Sequence, residues 1–324
     1  MCRKMIFTFD YELYLGQDSG TIEKCIIEPT NEILNIFKKN NSKAIFFIDS
    51  TFLIVLKKDY NEGYKKVKDN ILKLLELGHD VGLHIHPHWI DSYFIENKKR
   101  WGFTSYKNFR IHNLSKKQVS KIINNSYQEL NSIVKEFSQN YDINSFRAGG
   151  WSIQPFEYIK NDLKKIGIKY DFSVTPGLKK VNLPKHYYDY TKTPKKIFWR
   201  FENDILIEDN NGSFIEVPTT IISMNIFDVF RTKKIIKNFK TYGDGKGADN
   251  SSSSFINKVK KLKPFIKYSL SSDYMSLDII KKYINIDQEF LVYVAHPKNF
   301  SEESFKILSY LSSKYKSYDY RNIS

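Results

Sequence analysis

The sequence predicts an α/β protein, a closed or nearly closed (β/α) barrel of about seven strands, in one domain over residues 1–324. Three observations lead there. Short β-rich runs alternate with longer helical patterns along almost the whole chain. No Gly-x-Gly-x-x-Gly follows the first strand, which turns the reading away from a doubly wound open sheet. Histidines, acids and an arginine stand where strands end, and in parallel barrels those ends face one mouth.

The elements follow in order. "KMIFTFD" reads as the first strand, and "PTNEILNIFKKN" as a helix with Pro29 near its start and Ile33, Leu34 and Phe37 on one face. "KAIFFID" is the second strand. A helix over "YKKVKDNILKLLELG" stops at Gly78, the residue best suited to a left-handed cap. "DVGLHIH" is the third strand. Ser115 and Gln118 then open a long helix as a capping box. "INSFRA" is the fourth strand, "QPFEYIKNDLKKIG" a helix and "IKYDFSV" the fifth strand. "DILIEDNNGSFIEVP" reads as a hairpin turning at Asn211-Gly212. "FIKYSLSS", a helix from about Met275, "EFLVYVAH" and a last helix complete the series. Aromatic-bearing insertions near 89–112 and 176–201 interrupt the rhythm, and "YGDGKGADNSSSS" (242–254) reads as a flexible loop.

Composition narrows the function classes. The net charge is +15, from 51 basic and 36 acidic residues. The basic residues are spread along the chain without a long block or an RNA-binding signature, so specific nucleic-acid binding is not expected. The charge is compatible with an anionic substrate or with peripheral contact to an anionic membrane. Two cysteines, Cys2 and Cys25, give neither a disulfide framework nor a cysteine-based zinc site. The first apolar run is about five residues long, too short for a secretory signal, and no run approaches a ~20-residue membrane span. A cytoplasmic location is expected.

Four segments remote in sequence deliver the candidate site. Asp10 and Glu12 end the first strand, and, two residues apart on an extended chain, they point to one side. "HIHPHW" ends the third strand with His84, His86 and His88, Arg147 ends the fourth, and His296 ends "EFLVYVAH". His84 and His88 with a strand-one carboxylate would make a two-histidine, one-carboxylate set with positions open for water and substrate. His86 is a further ligand candidate, or its alternation with Pro87 shapes the loop. A metal so held would acidify a water, a second carboxylate would take its proton, and a histidine opposite would protonate a leaving amine or alkoxide. Arg147 would fix Asp10 in its ionised form.

"TFDYE", "AIFFID", "GHDVGLHIHPHW", "RAGGW", "YDFSVTPG" and "LVYVAHP", in that order, resemble the polysaccharide deacetylase family, from about Thr8 to Pro297. The resemblance implies a distorted, sometimes incomplete (β/α) barrel and a metal-dependent enzyme. By position it implies Asp10 as catalytic base, His84 and His88 as the H-x-x-x-H metal ligands, and Arg147 as the residue orienting the base. It also implies His296 as general acid and Trp151 on the groove wall. Trp89, in the aromatic insertion, is a second candidate to stack on a sugar.

Departures from the family pattern bear on the ligands. Tyr11 stands where the family has a second aspartate, so either Glu12 supplies the third ligand or Asp10 itself binds metal. "RAGGW" lacks a proline common in that motif, and no Asp-x-x-Asp-Trp precedes "EVPTT", where Glu216 and Pro218 lie. The expected activity is removal of acetyl from an N-acetylated sugar of a surface-polysaccharide precursor, with one divalent ion, zinc first and iron, cobalt or nickel as alternatives. Two other readings are a small-molecule amidase of the same fold and a glycan-binding protein without activity.

Overall fold

The computed structural model describes residues 4–236, 238–247 and 264–323. Its strands, in chain order, are β1 (Lys4–Tyr11), β2 (Ala44–Asp49), β3 (Asp80–Ile85), β4 (Ser92–Ile95), β5 (Arg100–Phe103), β6 (Ser145–Ala148), β7 (Tyr170–Asp171) and β8 (Lys179–Asn182). They continue with β9 (His186–Asp189), β10 (Trp199–Phe201), β11 (Phe214–Glu216), β12 (Ile221–Asn225), β13 (Phe265–Ser269), β14 (Phe290–Ala295) and β15 (Lys316–Ser317).

One sheet dominates, in the order β10-β11-β7-β6-β3-β2-β1-β14, with β15 beside the start of β1. The run from β11 to β14 is parallel throughout, and only β10 is antiparallel to its neighbour. Seven parallel strands match the expected number. Among the described residues no ladder joins β10 to β14, so the sheet is a curled half-barrel, a distorted (β/α) barrel rather than a closed one.

Parallel strands covered by helices are apolar on both faces, and β1 and β2 are buried over nearly their whole length. Phe7, Phe9, Phe37, Phe46 and Tyr293 pack edge-to-face or stacked on one side of β1. Phe47 and Phe172 meet on the other side, and Tyr320 packs on Phe172. The main helices are Glu28–Asn40, Ser50–Asp59, Asn61–Glu76, Lys116–Phe137 and Glu302–Lys314. Gly78 does lie at φ +73° after the helix ending at Glu76, and the capping box of Ser115 and Gln118 is formed.

Several elements differ from expectation. Ser50–Asp59 is a helix that periodicity did not single out; Asp49 caps it by accepting from the Phe52 amide. The hairpin leading to Phe214 has its first arm at Trp199–Phe201, not at 204–208. Trp199 is buried and its indole donates to the Ile205 carbonyl, while a side chain at Gly212 would strike the Phe201 backbone. The insertions near 89–112 and 176–201 each fold into a small hairpin, β4-β5 and β8-β9. The expected loop 242–254 is described only to residue 247, where Asp244 pairs with Arg100 and accepts from the Thr21 amide; its remainder lies outside the described residues. Among the described residues no helix is long and apolar enough to cross a membrane.

Candidate active site

The C-terminal ends of β1, β3, β6 and β14 meet at one mouth. On β1, Asp10 and Glu12 are both buried. Arg147 reaches across from β6, and its Nη1 donates to Asp10 Oδ1 at 2.5 Å, Nη2 to Thr8 Oγ1 at 2.8 Å and Nε to the Phe172 carbonyl at 3.0 Å. Its side chain has no exposed surface, and Phe47 lies 4.3 Å beneath the guanidinium. Burial alone would favour the neutral acid, but Arg147 and then His296 outweigh it and hold Asp10 well below the usual carboxylate range.

Glu12 and the strand-three histidines form the second group. Glu12 Oε2 lies 2.6 Å from His86 Nε2 and 3.3 Å from His84 Nε2, and the two ring nitrogens are 3.0 Å apart. His84 Nδ1 sits 2.7 Å from the Arg147 carbonyl, which can only accept, so Nδ1 carries the proton and Nε2 turns its lone pair inward. Two buried imidazole nitrogens and a carboxylate oxygen converging this closely need a shared cation or proton between them. The donor set therefore fits a divalent ion of borderline softness. Burial disfavours charge on His84, yet the hydrogen bond to Glu12 and the charge of Asp10 raise its proton affinity.

His86, not His88, stands with Glu12 and His84. The backbone gives the reason. His86 is still extended, at φ −115° and ψ 95°, so it points to the same side as His84. Pro87 then opens a 3-10 turn over Pro87–Asp91 that carries His88 away. The His88 ring is sandwiched between Phe103 at 4.3 Å and Tyr106 at 5.2 Å, its nitrogens have no hydrogen-bond partner among the described residues, and burial depresses its pKa to about 3.

His296, from the end of β14, faces both acids. Its Nε2 lies 3.3 Å from Asp10 Oδ2 and 3.6 Å from Glu12 Oε1. On the far side Nδ1 is 2.6 Å from Asp273 Oδ2, and Asp273 Oδ1 accepts from the His296 amide. Against the penalty of burial, Asp273 and Asp10 push the imidazole pKa up to about 10. Its side chain keeps 18% exposure, enough to meet a ligand at the mouth.

The two tryptophans separate. Trp151 is half-buried with its ring 6.3 Å from His296, on a backbone held at φ +55°. Trp89 is 1% exposed, packs at a tilt against Phe52 at 4.6 Å and donates its indole N–H to Asp49 Oδ2 at 2.6 Å. Its faces are taken by Phe52, Trp101 and Phe103, so it packs under the mouth instead of lining it. Glu216 lies inside the sheet end, where it accepts from the Val174 amide and shares its surroundings with Asp171; burial and that second carboxyl raise its pKa well above the usual value. Sequence reasoning passed over three residues here: Asp273, Asp49 and Lys298. "SSDY" and "AHPKNF" carry no spacing signal for the first and last of them. Asp49 was visible only as the polar end of "AIFFID".

A family model described as polysaccharide deacetylase matches residues 3–170, just over half of the chain. A comparison with curated proteins found no match. Among solved structures, the chain is similar to a polysaccharide deacetylase from Mycobacterium smegmatis at 12% identity and TM-score 0.39, covering 68% of this chain and 59% of that one. It is also similar to a family 4 carbohydrate esterase from Streptomyces lividans, at 9% identity and TM-score 0.43, covering 97% and 88%. A peptidoglycan deacetylase from Bacillus subtilis follows at 19% identity and TM-score 0.28, covering 52% and 56%. The chain spans under two thirds of the first and third of these structures. With the family model running from the first strand through the histidine strand to the arginine strand, the chain belongs to the polysaccharide deacetylase family.

Proposed function

We propose that this protein is a metal-dependent N-deacetylase that removes acetyl from a sugar, with Glu12, His84 and His86 holding one divalent ion. The observation that carries the reading is the convergence of those three ligand atoms beside two further pairs, Asp10 with Arg147 and His296 with Asp273. An ion bound there would polarise the acyl carbonyl and acidify a water, and zinc is the first candidate for a two-nitrogen, one-oxygen set.

The chain's own residues divide the proton work. Asp10, kept ionised by Arg147, accepts the proton of the attacking water. His296, charged at neutral pH, hands a proton to the amide nitrogen as the C–N bond breaks. One proton is taken and one given, and acetate and a free amine leave. Asp273 fixes the imidazole so that Nε2 is the atom facing the substrate. Trp151, beside His296, forms one wall for the sugar ring.

The net charge of +15 favours an anionic sugar, such as a phosphate- or uronate-bearing precursor of a surface polysaccharide. Elemental analysis coupled to an acetate-release screen over N-acetyl sugars tests the reading. About one ion per chain and acetate release lost in Asp10→Asn are expected. Protein that takes up no zinc, cobalt or iron would sink it.

A further inference from the structure

A lysine lies buried at the proposed metal site. Lys298 is 7% exposed, and its Nζ donates to Glu12 Oε1 at 2.7 Å and to the Leu13 carbonyl at 2.8 Å. Its own carbonyl accepts from Tyr14 Oη and from the Gly243 amide, so the residue is tied at both ends. It comes from the 3-10 turn Pro297–Asn299. The same turn begins after His296 and ends at Asn299, whose side chain donates to Asp273.

A buried ammonium costs several kcal/mol of lost hydration unless a partner compensates it. Lys298 places that requirement on one oxygen of Glu12. The carboxylate is thereby divided: Oε1 faces the lysine, and Oε2 faces His84 and His86. The arrangement parallels the first acid of the pair, since Asp10 has Arg147 and Glu12 has Lys298. A lysine suits the place because it is a compact donor that can reach two acceptors at a turn.

We infer that Lys298 is a positioning residue of the metal site, holding Glu12 as a one-oxygen ligand where Tyr11 has replaced the family's second aspartate; this rests on the metal reading above. Electrostatics sets a competing expectation. A cation near a cation repels it, so if Lys298 acted only through its charge, removing it would tighten metal binding. If it acts by orienting Glu12, removing it weakens binding.

The experiment is a titration of the full chain with cobalt(II) against a chromophoric chelator, following the visible absorption of the bound ion. Lys298→Met is expected to weaken cobalt binding about 10- to 100-fold, the usual range for a group that orients a ligand, and to change the absorption as Glu12 turns. Lys298→Arg is expected to restore part of the affinity, and Lys298→Met should add little in a Glu12→Gln background. Lys298→Leu, which like Met carries no donor, is the second variant should Met leave the chain unfolded. A folded Lys298→Met or Lys298→Leu protein with unchanged spectrum and affinity within threefold of the parent, or tighter, overturns the inference. A parent protein that binds no cobalt overturns the metal reading itself.

Discussion

His84 donates through Nδ1 to the backbone carbonyl of Arg147, 2.7 Å away, across the β3–β6 ladder in which the two residues are directly paired. One residue pair thus sets both halves of the site. The Arg147 main chain fixes the tautomer of the imidazole, and its side chain fixes the charge of Asp10. Since the His84 Nε2 lone pair is then turned inward, the parallel register of two neighbouring strands orders the proposed metal side and the proposed base side together.

Replacing Arg147 tests this coupling. Arg147→Lys keeps the charge and the carbonyl but loses the fork that reaches Asp10, Thr8 and Phe172 together. Acetate release should fall by roughly 10²-fold or more while metal content holds. Arg147→Met removes one of the two cations that face Asp10, leaving His296 at 3.3 Å, and should cost about 3 kcal/mol of stability, the low end for breaking a buried pair. Equal metal loss in both variants would show that the side chain, not the carbonyl, governs His84.

The histidine cluster makes a sharper contrast. His86→Ala should abolish metal uptake. His88→Phe should leave it intact, because the new ring fills the same slot between Phe103 and Tyr106. It should also match or exceed the parent's stability, since a neutral imidazole whose two nitrogens find no partner among the described residues is replaced by an apolar ring. Elemental analysis and a urea midpoint measure both. Metal lost in His88→Phe and kept in His86→Ala would reverse the ligand assignment.

Asp273 is expected to set the working range of the proposed acid, His296. His296 must be protonated to donate, so rate is lost as pH rises through its pKa, which Asp273 and Asp10 hold up at about 10. Asp273→Asn removes the largest favourable charge, lowers that pKa and moves the alkaline limb of kcat/KM to lower pH by a unit or more. An alkaline limb that stays in place would remove His296 as the titrating acid.

How much of this was legible depends on the range of the interactions. Asp10, Glu12, His84, Arg147 and His296 could be read because each ends an apolar strand, and a parallel sheet brings such ends together. The choice between His86 and His88 turned on where extended backbone gives way to the Pro87 turn, a matter of one residue. Trp89 read as surface aromatic because nothing local announces that Asp49, 40 residues earlier, accepts its indole proton. Lys298 was unreadable for the same reason at greater span, since Glu12 lies 286 residues away. The half-open barrel follows from β10, whose antiparallel pairing with β11 ends the parallel run at that edge.

Acid stability provides a test of the fold apart from the site. His79 is 6% exposed, takes a hydrogen bond from the Ala44 amide on Nδ1 and stacks on Phe37. Burial, with Lys43 adding repulsion, depresses its pKa from 6.5 to about 4. A base with a depressed folded pKa binds fewer protons folded than unfolded between those two values. Its contribution is therefore complete above about pH 6.5, declines as pH falls, and is gone by about pH 4. The loss should be roughly 1–3 kcal/mol for this one residue. His112, depressed to about 4 by burial, adds in the same direction. His79→Asn keeps an acceptor for Ala44 without a basic nitrogen, so unfolding free energies at pH 7.5 and pH 4.5 should differ less in the variant than in the parent. An equal drop in both proteins would show that His79 stays solvated enough to titrate normally, and that the seam between β2 and the Gly78 turn is looser than its contacts describe.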